Sequence, residues 1–244
     1  MKFVENLEFF HFNTNEPGEY LHHCESAFAL WEEQWSETFK ELNVDKKLYN
    51  DDFLNRELGG LFLGSRAVGF ILYHFLDFSR YSNFNVSYSR NYPENLWRAH
   101  YERRDRVMVA SHLTLDPEWR KNKTNLPASE ILFSLAVLRF LKSPADRLIT
   151  YARNNRKMNE MVYRHGGEAV LKNHTAYNVS VDFIEIPKTC AQISALPDCA
   201  PITLNLWTKT KQTEEYDVYR LRKQKNGTPY GLHELSPLGE LGIL

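Results

Sequence analysis

Cysteine is scarce: the 244 residues contain three, Cys24, Cys190 and Cys199, with no CxxC spacing. So sparse and odd a set supports neither a disulfide framework nor a zinc site. His22, His23 and Cys24 are contiguous, but neighbours on a helix point in different directions. They read as packed or solvated side chains, not as metal ligands, and no metal is expected. No run of 18 apolar residues occurs, which argues against a membrane-spanning helix. The first residues lack the basic start and apolar stretch of a signal peptide, so a reducing, cytoplasmic setting is expected. Neither sign of charge dominates, with 30 Lys and Arg against 31 Asp and Glu. Bulk electrostatic attraction to nucleic acid is therefore not expected. Internal repeats and low-complexity segments are missing as well.

Aromatic residues are abundant, at 14% of the chain, in an otherwise ordinary composition of 43% apolar and 25% charged residues. They suit either a thick core or an apolar groove. The length is enough for one well-buried domain with additions. Leu7–Phe12 reads as a strand, and residues 19–42 as a helix. The helix has an apolar stripe through Leu21, Cys24, Phe28, Trp31, Trp35, Phe39 and Leu42, at steps of three and four. A shorter helix is expected over 46–56. Strands follow at 61–63 and 67–76, the second rich in β-formers.

Residues 77–105 form a long polar and aromatic stretch with a short helix at 95–103; a connection of this length is often functional. Next come a strand at 106–115, a polar turn at 116–125, a helix at 126–141 and a strand at 147–152. A helix at 155–165 carries Met158, Met161, Val162 and His165 on one face and is closed by Gly166–Gly167. Strands at 168–171 and 176–186 complete the pattern. In the remaining tail, 202–207 reads as a strand and 214–225 as a charged helix.

Two motifs carry chemistry. Leu113-Thr114-Leu115-Asp116-Pro117-Glu118-Trp119-Arg120-Lys121 runs from a strand through Pro, an acidic residue, an aromatic and Arg into a turn ahead of a helix. Asn155 through Tyr163-Arg164-His165-Gly166-Gly167 places Asn at a helix start, Tyr near its end and Gly four residues beyond. In this order, the region 3–186 resembles the GNAT superfamily of acyl-CoA-dependent N-acyltransferases. The resemblance implies an α/β (α+β) fold, with a mixed, mostly antiparallel sheet flanked by helices and splayed at its central strands. It implies a domain over 1–186, with 187–244 as an extension that packs on it or meets a partner.

The turn Arg120-Lys121-Asn122-Lys123-Thr124-Asn125 is the expected pyrophosphate site. There the helix N–H groups, the helix dipole and three basic side chains converge. The resemblance also implies pairing of the pantetheine arm with the strand edge at Leu113 and Leu115, and contact of that arm with Asn155, whose simplest role is an N-cap. It implies Tyr163 as the acid that protonates the departing thiolate, with Arg164 raising the local positive potential. His112 is the expected base, with Glu102 and Asp105 as rivals.

The turn departs from the superfamily pattern in having no glycine, and Asn122 and Asn125 are the residues suited to replace it. The expected co-substrate is acetyl-CoA or another acyl-CoA, and the expected acceptor a small-molecule or peptide amine. Two alternatives stand beside this reading. One is an N-acyl amino acid or lactone synthase served by an acyl carrier protein, with the aromatic stretch 77–105 lining an acyl tunnel or forming a lid. The other is a degenerate, non-catalytic binding module. A homodimer is compatible with either.

Overall fold

The computed structural model describes residues 6–45, 47–80, 93–120, 125–194 and 196–212. The strands among them are β1 Leu7–Asn13, β2 Glu57–Leu63, β3 Arg66–Asp77, β4 Arg106–Leu115, β5 Arg147–Arg153, β6 Glu168–Ala176, β7 Val179–Pro187 and β8 Lys211–Gln212. The helices are α1 Leu21–Glu41, α2 Glu94–Arg103, α3 Ala128–Lys142, α4 Met158–Arg164 and α5 Cys199–Thr208. One mixed sheet runs in the order β6-β7-β5-β4-β3-β2-β1-β8. Its pairs are antiparallel except β4 with β5 and β1 with β8. The expected mostly antiparallel sheet flanked by helices is what forms.

Alternation along the strands sends side chains to two faces. On β5, Leu148 and Ala152 join Ile131, Leu135 and Phe140 of α3 in one core. Ile149 and Tyr151, of opposite parity, pack with Trp97 of α2 and Phe183 of β7. A third cluster joins Trp31 and Ala27 of α1 to Phe12, Phe62 and Phe70. Helices α3 and α5 therefore cover one face, and α1 and α2 the other.

Most of the expected stripe of α1 is used: Cys24 and Trp31 are buried, as is Phe39, whereas Leu21 is 50% exposed. Buried Gln34 interrupts the apolar pattern because its carbonyl accepts from Arg120. Cys24 donates to the Thr14 carbonyl, and the His23 ring lies 4.2 Å from Phe10, so the His–Cys run is built into packing.

Two expected elements differ. The helix over 46–56 is reduced, in its described part, to one 3-10 turn at Asn50–Asp52. The Thr14 hydroxyl bonds the carbonyls of Phe53 and Arg56, and Asn55 adopts a φ of 60°, which together hold the segment out of a helix. The strand at 202–207 is instead α5. Cys199, Thr203 and Leu206 are buried at helical spacing and α5 packs on α3, so tertiary burial outweighs the β-branched composition. The expected helix at 214–225 lies outside the described residues.

Candidate functional site

Strands β4 and β5 run together for only three residue pairs, Val107–Val109 against Arg147–Ile149. Beyond Ile149 they part. On its other side β4 slips register against β3 between Ser111 and Thr114, and His112 takes the left-handed conformation with φ 52°. A non-glycine residue there is a β-bulge signature and an unusual backbone state. The peptide groups of Ala110–Leu113 consequently have no ladder partner on β5.

A cleft of about 130 Å³ fills this gap. Its α3 side is apolar, with Phe133, Met158, Met161 and Val162. Toward α1 it meets Trp35, His112, Tyr151 and Arg153. The His112 ring packs edge-on to Trp35 at 4.7 Å and to Trp31 at 6.1 Å. Its Nδ1 lies 3.2 Å from the Ser111 hydroxyl. Trp35 is fixed by its indole N–H, which donates to Thr114 Oγ1 at 3.1 Å. Burial pushes the Tyr151 phenol well above its ordinary range, and its bond with Tyr177 pushes in the same direction.

Of the residues expected from sequence, His112 and Leu113 line this cleft. Leu115 does not; it lies further along β4 and packs toward the α3 core. Glu102 is exposed on α2. Asp105 sits at the opposite end of β4, bonded to His100 and Arg103 at 2.9 Å. Neither carboxylate reaches the cleft.

Arg120 is exposed, with its guanidinium donating to Gln34 of α1. Asn125 is also exposed, and Lys121, Asn122, Lys123 and Thr124 lie outside the described residues. Among the described residues no side chain caps the start of α3, and the first turn of a helix is where amide donors suit an anion. Asn155 does not cap α4. The helix starts at Met158 after a turn in which Lys157 has a φ of 55°, and Asn155 accepts from Arg153 Nε at 3.3 Å. The turn 154–157 takes up the residues that periodicity had assigned to the helix.

Tyr163 is not among the cleft-lining residues. Its ring is partly buried against the core cluster that includes Phe133, Met161 and Val162. Its hydroxyl donates to Asp182 of β7. Burial raises its pKa to about 12, helped by the Asp182 carboxylate. A free thiol titrates near ~8.5, so the phenol holds its proton far more tightly than the leaving group would.

Asp182 is 3% exposed. It accepts from Tyr163, from Asn159 and Asn154 Nδ2 at 3.0 Å each, and from the Asn173 amide at 2.8 Å. Burial alone would raise its pKa, but these four donors outweigh burial and hold it at about 2. The knot ties α4 and the β5–α4 turn to β6 and β7. Sequence reasoning passed over it, although an Asp in the middle of the strand Val179–Pro187 was the available signal. Trp35, Tyr151 and Arg153 were also missed as cleft residues, because nothing local marks where two strands part.

Similarity to known structures is of fold. The CoA-dependent acyl-homoserine lactone synthase BjaI with SAM and isopentyl-CoA superposes with a TM-score of 0.57 at 10% identity, over 85% of this chain and 93% of that one. The same synthase with MTA gives 0.56 at 9% identity over the same shares. No protein-family profile and no curated protein matches the chain.

Proposed function

We propose that this chain, which has the GNAT fold, is an acyltransferase that moves an acyl group from an acyl thioester to an amine by direct attack. The observation that carries the reading is the cleft opened where β4 and β5 separate beyond Ile149. Its apolar wall of Phe133, Met158, Met161 and Val162 suits an acyl chain and the pantetheine arm. The peptide groups of Ala110–Leu113, which border the cleft and have no ladder partner on β5, suit the thioester carbonyl, where an N–H donor would stabilise the developing oxyanion.

His112 is assigned as the base. It stands on the α1 side of the cleft, and imidazole accepts a proton in the physiological range. It takes the ammonium proton, and the amine nitrogen adds to the thioester carbonyl. The tetrahedral intermediate collapses with breakage of the C–S bond, and the proton that the attacking nitrogen loses on becoming an amide passes, directly or through solvent, to the departing thiolate. For Tyr163 to deliver that proton, the phenol must first release Asp182. We assign Tyr163 mainly to positioning α4.

Thiol release from a series of acyl-CoAs, measured with a mixture of amines, tests the proposal. Turnover should require an amine, and Ala152→Leu, which fills the cleft from its floor, should weaken acyl-CoA binding by about tenfold or more. Absence of both acyl-CoA binding and thiol release in folded protein would refute it.

A further inference from the structure

Among the described residues that line the cleft, Arg153 is the cation. Its side chain is only 20% exposed, yet its bonds are long: Nη2 to Glu41 Oε1 at 3.4 Å and Nε to Asn155 Oδ1 at 3.3 Å. Glu41, at the end of α1, is taken by Arg156 instead, whose Nη2 donates to both carboxylate oxygens at 2.8 and 2.7 Å. Two guanidinium groups thus share one carboxylate, and the group facing the cleft makes the weaker contacts. A guanidinium is built to give paired N–H bonds to a planar oxyanion.

We infer that Arg153 seats a carboxylate of the acceptor, which makes the acceptor an amino acid, with Glu41 marking where that carboxylate docks. Three observations support this. Arg153 continues the parity of Ile149 and Tyr151, and it reaches α1, so it lies on the face opposite the start of α3, where a phosphate would be expected. His112, also on the α1 side, is on hand for the adjacent α-ammonium. Glu41 is half-exposed and already held by Arg156, so it can yield Arg153 without being stranded in the protein. The flanking Trp35 and Tyr151 favour an aromatic or apolar side chain on the acceptor.

The inference rests on the acyl-transfer reading for the fate of the amine, but the carboxylate seat is measurable by itself. Phenylalanine and phenylalaninamide are titrated calorimetrically into the wild-type protein, Arg153→Ala and Glu41→Gln, with and without coenzyme A. The acid should bind the wild-type protein at least about tenfold more tightly than the amide. Arg153→Ala should erase that preference. Glu41→Gln should strengthen acid binding several-fold by removing the competing carboxylate.

Equal binding of acid and amide to the wild-type protein would overturn the inference whether or not the variants fold. So would a preference that survives Arg153→Ala, or an Arg153→Ala variant that loses coenzyme A affinity instead. Thiol release from hexanoyl-CoA reads the transferase proposal separately. If release is missing while the acid preference is intact, the transferase fails and the seat stands. If release is equal with both acceptors and no acid preference exists, the seat fails and the transferase stands.

Discussion

Replacing Asp182 by Asn keeps the shape of the side chain and removes its charge. Four donors converge on the carboxylate, two on each oxygen. An amide group must therefore turn its NH₂ toward two of them. The ionic part of the loss follows from the pKa: about 2 in the folded protein, against ~3.9 for an unperturbed Asp. That difference is worth about 2.5 kcal/mol at neutral pH. The misplaced NH₂ adds about 1–2 kcal/mol.

Because the folded pKa lies below the unfolded one, the ionic contribution is complete above about pH 5. It is lost as pH falls through about 4 toward 2. Urea unfolding followed by tryptophan fluorescence at pH 7, 5, 4 and 3 should show Asp182→Asn less stable by about 3.5–4.5 kcal/mol at pH 7. The gap should narrow only below pH 5. A gap under about 1 kcal/mol at pH 7, or one that stays flat to pH 3, would refute the charged knot and with it the claim that α4 is held from β7.

Tyr163→Phe removes one of the four donors and should cost about 1 kcal/mol of stability, with less than a tenfold change in turnover; a drop of about 10²–10⁴ in a folded variant would restore the phenol as the proton donor. His112→Asn, chosen because Asn tolerates the left-handed backbone, should lower kcat by about 10²–10⁴ and flatten the rise of rate with pH that an imidazole base produces. An unchanged pH profile would exclude His112 as the base. Gly166 has a φ of 88°, and a Cβ there would meet the Cys190 carbonyl at 1.9 Å, so Gly166→Ala should lose at least about 2 kcal/mol in thermal unfolding.

The strands at 67–76 and 106–115 were readable as short apolar runs rich in β-formers, which the sheet buries on both faces, and α1 was readable from its apolar stripe. The helix–turn boundary at α4 was not, since Met158, Met161, Val162 and His165 fit a helix that starts at either 155 or 158. The choice is made by Lys157, which enters the left-handed region after the turn, where its amide bonds the Asn154 carbonyl at 3.0 Å. The cleft was foreseen only through resemblance. Leu113 opens the motif and His112 precedes it on the same expected strand, so both could be singled out, whereas Arg153 and Asp182 matter through partners 112 and 19 residues away in sequence. No window of sequence displays such pairs. Tyr163 shows the same limit: the motif marks its position, but the carboxylate that holds its hydroxyl lies 19 residues further on, in β7.

The short seam between β4 and β5 has a mechanical consequence. The two strands are joined at Val107–Val109 and part from there to Leu113, a lever of about 10 Å for four residues that include the bulge at His112. Rotating one half of the sheet by about 5° around that seam moves the far end by about 1 Å. That is a large fraction of an atom's width in a space where a thioester and an amine must meet. The three residue pairs act as a pivot, and the ion pairs from Glu41 to Arg153 and Arg156 span the free end like a brace. Substitutions near the pivot, far from any reacting atom, would be read out as changes in how closely the two substrates approach.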